Sequence, residues 1–253
     1  MEWKLVLALA IGAALSYLMA GVNPAIVFSR LLHKQDIRRL GSGNPGFTNY
    51  KRCFGGWDAW LVFVLDLAKT VVPVLGSKLI IAHLFGGELP GIGQFAAALT
   101  GLFAMLGHAY PVWYRFQGGK AFVTGVATAF CVDWRLALAV FTLYLIMLLT
   151  VKIMSLSSLA AGALFTVCLF VYDLIPGPAH PWYIWGAVVL GCFANVLVFW
   201  RHRGNIRRLV RGEEKKFYLF GKSKSAAVTE KKAEPAEEQE AAAPTASGEN
   251  THR

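Results

Sequence analysis

The sequence predicts an all-α integral membrane protein with about seven transmembrane helices. Of the 253 residues, 56% are apolar and the mean hydropathy is +0.49, which is more apolar than a typical soluble domain. Apolar runs of about 20 residues recur along the chain, long enough to cross a bilayer core of roughly 30 Å. Because lipid offers the backbone no hydrogen-bond partners, we expect these runs to be helices; the alternating pattern of barrel strands is absent.

Each apolar run predicts one membrane span. We place the spans at 4–28, 58–82, 93–112, 122–132, 136–151, 156–175 and 183–200, the fourth being the shortest. The first run has the position of a signal peptide, but it lacks a small-residue cleavage site and continues through Phe28, so we expect it to stay uncleaved. Asn23-Pro24 should kink its inner end, because proline cannot donate a backbone hydrogen bond.

Lysine and arginine are divided unequally between the two sides of a seven-span protein. The connections after the odd-numbered spans carry most of them, whereas the other side holds Lys4 and Arg135 and little else. The positive-inside rule therefore predicts an N-terminus outside the cell and a cytoplasmic C-terminus. The net charge of +10 then lies against anionic lipid headgroups, so no nucleic-acid partner is expected.

The composition changes near residue 222. Beyond this point Ser, Ala, Glu, Lys, Pro and Thr dominate, and large apolar residues nearly vanish. Such a segment cannot bury enough surface to offset its chain entropy. We therefore predict a membrane-embedded domain at 1–221 and a disordered cytoplasmic tail at 222–253.

A basic, glycine-punctuated loop at 38–52 separates the first two predicted spans. Gly41, Gly43 and Gly46 reach positive φ at low cost, so successive backbone N–H groups can point into one concavity that suits an anion. Neutral donors and cations surround these glycines: Ser42, Asn44, Thr48 and Asn49, with Arg38, Arg39, Lys51 and Arg52. A topology signal would explain the charges alone. The glycines and clustered donors favour a phosphate pocket at the membrane surface.

Two further polar segments, 107–120 and 201–211, lie on the same predicted side. In the first, the turn Gly118-Gly119-Lys120 sets backbone N–H groups beside an ammonium, which suits a phosphate. In the second, His202 and Asn205 are three residues apart and share a helix face. Taken singly, the first is an ordinary interfacial turn and the second a stop-transfer patch. Together with the glycine loop, they could converge on one anionic ligand.

In combination, the three segments resemble the bacterial acyl-phosphate-dependent glycerol-3-phosphate acyltransferases, the PlsY family. Asp36 to Arg52 matches the family's Asp-Ile-Arg…Gly-Ser-Gly-Asn…Thr-Asn…Arg loop. Gly107 to Lys120 matches its Gly-His…Gly-Gly-Lys segment, and Arg201 to Glu213 matches its Arg-His…Asn-Ile…Gly-Glu segment. Order, spacing and span count agree over roughly residues 1–216.

The resemblance implies a multi-pass enzyme of the bacterial inner membrane with its active site on the cytoplasmic face. It would transfer a fatty acyl group from acyl phosphate to the sn-1 hydroxyl of glycerol 3-phosphate, giving lysophosphatidic acid and phosphate. This is the first step of phospholipid synthesis, and it needs no metal or cofactor. The expected partners are both substrates, membrane lipids and the enzyme that makes acyl phosphate.

Motif positions also imply which residues act. The catalytic set is Ser42, Arg52, Lys120, His202 and Asn205. The substrate-binding set is Gly41, Gly43, Asn44, Gly46, Thr48, Asn49, His108, Gly118, Gly119, Arg201 and Arg208. We expect Lys120 and the two glycine amides before it to hold one phosphate, and Arg52 with the 41–46 loop to hold the other.

His202 is the candidate general base in this set, and its surrounding cations should lower its affinity for a proton. A substrate phosphate oxygen is the alternative base. Ser42 would lie between the two phosphates with His202, and Asn205 would fix the His202 ring or contact glycerol phosphate.

Some positions leave alternatives open. Ala121 follows Lys120 where relatives show glycine, so the turn should close differently and a non-catalytic relative is an alternative. Asp66 and Lys69 lie three residues apart inside the second span, where charge is expensive. They are either a structural ion pair or direct substrate contacts.

Two other classes of protein are weighed against the acyltransferase. An anion transporter would place its charged features near the bilayer midplane, whereas the polar clusters here lie at one surface. A metal-dependent phosphatidyltransferase would need clustered carboxylates for a divalent ion. No predicted span offers an Asp-x-x-Asp arrangement.

Overall fold

The computed structural model describes residues 2–174 and 182–217, and within these ranges every regular element is helical. The α-helices there are α1 (Glu2–Gly21), α2 (Pro24–Leu31), α3 (Phe47–Cys53), α4 (Asp58–Phe85), α5 (Ile92–Ala109), α6 (Phe122–Val132), α7 (Trp134–Val151), α8 (Met154–Leu174), α9 (Trp182–Arg201) and α10 (Arg203–Val210). Two 3₁₀ turns, Ile37–Arg39 and Val112–Tyr114, lie in the connections. The predicted tail, 222–253, falls outside the described residues and stays a prediction.

Several of these helices are long and apolar enough to cross a membrane. In the described chain five stretches qualify: Glu2–Leu31, Asp58–Phe85, Ile92–Tyr114, Trp134–Val151 and Met154–Leu174. Helices α9 and α10 pass the same test only when taken as a pair, and they are bent by 64°. Helix α6 is apolar, but its 11 residues are too few to span a bilayer alone. The all-α membrane fold is confirmed, whereas the count of seven and the orientation of the termini stay predictions.

The first span is broken between α1 and α2, where the sequence predicts a kink. Asn23 caps α2, its Oδ1 accepting from the Ile26 N–H at 3.1 Å, and Pro24 stands in the first turn, where its missing donor costs nothing. The other end of the Asn23 amide donates to the carbonyl of Pro45 at 3.0 Å. The break therefore ties the first span to the glycine loop.

Helix α5 lies at the centre of the fold and packs against α1, α4, α6 and α9. Its buried residues are mostly small: Gly93, Ala96, Ala97, Ala98, Thr100, Gly101, Ala104, Gly107 and Ala109. A Cβ on Gly107 would overlap the carbonyl oxygen of Tyr17 on α1. Helices in lipid gain little from hydrophobic burial and associate through such close backbone contacts. This packing fixes the last turn of α5, which carries His108.

The outer faces of the long helices expose large apolar side chains. Val6 on α1, Leu79 on α4, Ile146 on α7 and Val171 on α8 are all more than half exposed. In water such a surface would drive aggregation, whereas in hydrocarbon it is the expected lipid-facing surface.

Helix α6 ends at an unusual corner with α7. Lys78 of α4 donates from Nζ to the carbonyls of Cys131 and Val132, at 2.6 and 3.2 Å, and so satisfies the last two residues of α6. Asp133 then caps α7 by accepting from the N–H groups of Arg135 and Leu136. The corner therefore has partners for the backbone groups that both helix ends expose.

Candidate active site

The glycine loop is organised around the side chain of Asn49. Gly41 and Gly43 have φ of 57° and 71°, in the left-handed region that favours glycine. The Asn49 Oδ1 accepts from the backbone N–H of Ser42 at 2.9 Å, and its Nδ2 donates to the Leu40 carbonyl at 3.0 Å. A Cβ on Gly41 would overlap this amide. The structure thus places Asn49 inside the loop, as its support.

The other predicted members of the loop differ in their surroundings. Ser42 is exposed at the loop surface, and in residues 2–174 and 182–217 its hydroxyl forms no hydrogen bond with Lys120 or His202. Thr48 directs its Oγ1 to the Met154 sulfur of α8, at 2.9 Å. Asn44 is half-buried, with its amide beside Gly46. These contacts place the loop against α8.

A carboxylate anchors the start of the loop. Asp36 forms ion pairs with Arg38 at 2.7 Å and Arg30 at 2.8 Å. The hydrogen bond from the Arg38 side chain is the largest influence on the Asp36 carboxyl, and the pKa of this group lies well below its usual value. Arg38 also donates to the Tyr114 carbonyl at 3.5 Å, which joins the first segment to the second. The charge of Arg38 therefore serves the fold.

The Gly118-Gly119-Lys120 turn is buried and tightly held. The Gly119 N–H donates to the His108 carbonyl at 3.0 Å, so this amide is used inside the protein rather than left free for a phosphate. Arg201 donates to the carbonyls of both glycines, at 2.6 and 2.9 Å. A Cβ on Gly119 would overlap the His108 ring, and one on Gly118 would overlap the His108 carbonyl. Both positions therefore require glycine.

Ala121, the departure from the family pattern, does not avoid the left-handed region. Its φ is 61° and its ψ 15°, at the start of α6. An alanine in this conformation is strained by roughly 1–2 kcal/mol. The alanine is buried in the cluster that holds Met105 and Leu159, so packing offsets this strain.

Lys120 is the point at which the three segments meet. Its Nζ donates to Asn205 Oδ1 of α10 at 2.5 Å. Burial lowers the pKa of Lys120 to about 8, against an opposing attraction from Glu214. The like charges of Arg208, Arg201 and Arg52 lower this pKa further. Since such repulsion is screened beyond roughly 10 Å, the charge of Arg52 in the glycine loop reaches the site that the other two segments form.

His202 lies between α9 and α10 and is only 4% exposed. Its Nδ1 is 2.8 Å from the Val198 carbonyl, which can only accept a hydrogen bond, so Nδ1 carries the proton and Nε2 keeps a lone pair. The pKa of His202 is lowered to about 4, first by burial and then by the charges of Lys120 and Arg201. The predicted influence of the cations is therefore present, but burial is the larger cause. The ring is neutral near pH 7.

Glu214 is a member of the site that sequence reasoning missed. Its Oε1 accepts from Ser155 at 2.8 Å and from Asn205 at 2.5 Å, and its Oε2 accepts from Arg208 at 2.6 Å. Burial raises the pKa of this carboxyl, but the hydrogen bonds outweigh burial and lower it. Glu214 therefore holds Asn205 and Arg208 in place, and Asn205 in turn holds Lys120. The adjacent Glu213 belongs to the matched motif and was the available signal.

A buried charged cluster lies beneath the glycine turn. Lys69 Nζ is 2.9 Å from Asp66 Oδ1, 3.0 Å from His108 Nδ1, and donates to the Val22 carbonyl at 2.9 Å. The cluster joins α4 and α5 to the break in the first span. His108 connects the cluster to the glycine turn, because its carbonyl accepts from the Gly119 N–H. Of the two alternatives for Asp66 and Lys69, this geometry favours the structural one. His108 likewise supports the turn from below.

The fold and the site together define an integral membrane enzyme whose cationic pocket suits phosphorylated substrates. A sequence profile described as Glycerol-3-phosphate acyltransferase matches residues 10–212, and the chain belongs to this family. The predicted PlsY family and acyltransferase class are confirmed.

Relatives from bacteria share most of the chain. The glycerol-3-phosphate acyltransferase of Prochlorococcus marinus (strain MIT 9515) is 35% identical over 209 residues, covering 82% of this chain and 96% of the relative. That of Thioalkalivibrio sulfidiphilus (strain HL-EbGR7) is 38% identical over 218 residues, covering 86% and 97%. This family membership places the protein in phospholipid synthesis.

The fold is also similar to solved structures. A crystal structure of PlsY (YgiH), an integral membrane glycerol 3-phosphate acyltransferase in its glycerol 3-phosphate form, superimposes with a TM-score of 0.69 at 31% identity. The match covers 83% of this chain and 96% of that one. The lysophosphatidic acid form of the same enzyme gives a TM-score of 0.66 at 30% identity.

Proposed function

We propose that the protein transfers a fatty acyl group from acyl phosphate to the sn-1 hydroxyl of glycerol 3-phosphate, giving lysophosphatidic acid and inorganic phosphate. The observation that carries this proposal is the cationic cluster at Lys120, where Arg201 bonds to the adjacent Gly119 carbonyl and Arg208 is joined to Lys120 through Glu214 and Asn205. Both substrates carry a phosphate, and a site with several cations and one neutral base suits such a pair.

The reaction forms one bond and breaks one. The sn-1 oxygen bonds to the acyl carbonyl carbon, and the bond from that carbon to the phosphate oxygen breaks. Since phosphate is a good leaving group, the site supplies mainly orientation and stabilisation of negative charge. Lys120 would supply that stabilisation as a point charge and Arg52 as a planar fork.

The proton of the attacking hydroxyl needs an acceptor. Nε2 of His202 has a free lone pair at neutral pH, because Nδ1 is bonded to Val198. A pKa of about 4 makes this ring a weak base, and a phosphate oxygen of a substrate is the competing acceptor. Asn205 positions Lys120 through its hydrogen bond. Ser42, at the loop surface, would orient the sn-1 hydroxyl of glycerol 3-phosphate once that substrate is bound.

An apolar cleft beside the site supports a fatty acyl donor. The cleft lies among α5, α6, α7, α8 and α9 and is lined mostly by apolar side chains. Val198, whose carbonyl accepts from His202, and Phe122, two residues after Lys120, both line it. An acyl chain in the cleft would place its phosphorylated head at Lys120.

We also propose that the site lies on the cytoplasmic face of the membrane. The three segments lie in connections rich in lysine and arginine, and the positive-inside rule assigns these to the cytoplasmic face of the bacterial inner membrane. Contact with the enzyme that makes acyl phosphate stays a prediction.

The donor and the position of acylation are tested in one assay. Purified protein in liposomes is given radiolabelled glycerol 3-phosphate with palmitoyl phosphate or, in parallel, palmitoyl-CoA. We expect 1-acyl lysophosphatidic acid from the first donor only, and unchanged rates in excess EDTA. Product from palmitoyl-CoA, or acylation at the sn-2 oxygen, would contradict the proposal. Label that enters the liposomes without being acylated would favour the transporter.

A further inference from the structure

The cleft beside the active site is lined by residues of five helices, α5 to α9. On α7 the lining residues are Ala137, Val140, Phe141 and Tyr144, spaced as i, i+3, i+4 and i+7. The lining of α6 runs from Phe122, its first residue, to Val132, its last. At 1.5 Å per residue these 11 residues span about 16 Å, so the cleft follows α6 from the catalytic end into the membrane.

The catalytic end of the cleft is continuous with the site. Tyr144 and Phe122 pack together there, with ring centroids 5.1 Å apart, and Val198 joins the lining to His202. An occupant that begins at Lys120 and enters the cleft must have an anionic head and an apolar body. Of the two substrates in the proposed function, only acyl phosphate has both.

The far end of the cleft lies beside the corner between α6 and α7. Val132 and Ala137 line the cleft on either side of this corner. Lys78 bonds to both terminal carbonyls of α6, and Asp133 caps α7, so the corner is tied to α4 and to its own backbone. A chain that reaches the corner meets backbone with satisfied hydrogen bonds and cannot displace it cheaply.

We propose that the α6–α7 corner is the floor of the acyl-chain cleft and sets the longest chain that the enzyme transfers efficiently. This inference rests on the proposed function, because it takes the occupant to be the tail of the acyl phosphate. The residues beside the floor that set the limit are Ala137 of α7 and Ala187 of α9, which are small, buried and part of the lining. Enlarging either shortens the cleft from its far end.

The test compares Ala137→Phe with Ala139→Phe. The same bulk is added at two alanines of α7, but Ala137 is buried and lines the cleft whereas Ala139 is exposed and does not line it. Each variant is assayed for kcat/KM with lauroyl, myristoyl, palmitoyl and stearoyl phosphate. The ratio of the longest to the shortest chain does not depend on the fraction of folded protein. Ala187→Leu, with the exposed Val189→Leu as its control, repeats the comparison on α9.

We expect the longest-to-shortest ratio to fall by about tenfold or more in Ala137→Phe and Ala187→Leu, because one methylene in an apolar pocket is worth at least that factor. Both controls should keep the wild-type ratio. If the wild type is active and every variant loses all chain lengths in parallel, or none at all, the floor is elsewhere and the inference is wrong. A wild type inactive with every acyl phosphate would overturn the proposed function and the inference together.

Discussion

Lys120 and His202 are the two residues whose protonation states decide what the site can do. Lys120 must be charged to hold a phosphate, although burial and three arginines lower its pKa to about 8. His202 must be neutral to accept a proton, and its burial ensures this near pH 7. The same low-dielectric surroundings therefore favour the working form of the histidine and oppose that of the lysine.

The pH dependence of kcat/KM for glycerol 3-phosphate should report the titration of Lys120. The folded-state pKa is about 8, so the ammonium is present below this pH and is lost as the pH rises through it. We expect a falling limb near pH 8, since kcat/KM reports groups of the free enzyme. In Lys120→Arg the charge persists, and the limb should disappear from whatever activity remains. A falling limb unchanged in this variant would assign it to another group.

Replacement of His202 tests its role as the general base. We expect His202→Asn to lower kcat by on the order of 100-fold, the smaller end of the usual effect of general-base catalysis. The control is His83→Asn, the same substitution at an exposed histidine in the last turn of α4. Turnover within a few fold of wild type in His202→Asn would leave the phosphate oxygen as the base.

The turn before α6 is the element that brings Lys120 into the site. Arg201 bonds to both glycine carbonyls, and the ring and carbonyl of His108 pack beneath Gly119. Helix α5 delivers His108 because its small residues bring it close to its neighbours. The position of Lys120 thus depends on the packing of α5, the helix that precedes the turn in the chain.

Gly119→Ala should displace this turn. The new Cβ would overlap the His108 ring, so the turn or the ring must shift, and we expect kcat/KM to fall by about 100-fold, as for the loss of one stabilising group in a preorganised site. Gly76→Ala on α4 is the matched control, since its Cβ meets nothing within 4 Å. Wild-type kinetics in Gly119→Ala would show that the turn tolerates the change and that Lys120 is placed by other contacts.

The buried pair of Asp66 and Lys69 connects α4 to α5 and to the break in the first span. Asp66→Asn leaves Lys69 as an uncompensated buried charge, which should destabilise the protein by about 3–5 kcal/mol. The double change Asp66→Asn with Lys69→Met removes both charges and should recover much of that loss. Thermal unfolding in detergent measures both. Unchanged stability of Asp66→Asn together with a loss of activity would point to a role in substrate binding instead.

At the scale of the whole molecule, the sequence predicts the fold because backbone polar groups in lipid must be hydrogen-bonded within the protein. The apolar runs become helices, and Asn23-Pro24 marks the break between α1 and α2. Glycines and cations predict an anion site, and in the folded chain the charge of Arg52 acts on Lys120. Glu214 was not predicted, although its neighbour Glu213 belongs to the matched motif, because clustered positive charge indicates an anionic ligand without indicating that a side chain of the protein neutralises part of it.

Two further features also needed the three-dimensional structure. The cap that Lys78 places on α6 joins residues more than fifty positions apart, and no local pattern signals it. The use of Asn49 and of the Gly119 amide inside the protein depends on where neighbouring carbonyls lie. Sequence motifs indicate which residues belong to a site, whereas the division between substrate contacts and supports follows from packing.

An experimentally determined structure of the protein in lipid with glycerol 3-phosphate bound tests the central claim most directly. The three segments should enclose one ligand, with its phosphate within hydrogen-bonding distance of Lys120 Nζ or the Arg52 guanidinium and its sn-1 hydroxyl towards His202 Nε2. A phosphate held away from both cations, or at the opposite membrane surface, would contradict the account.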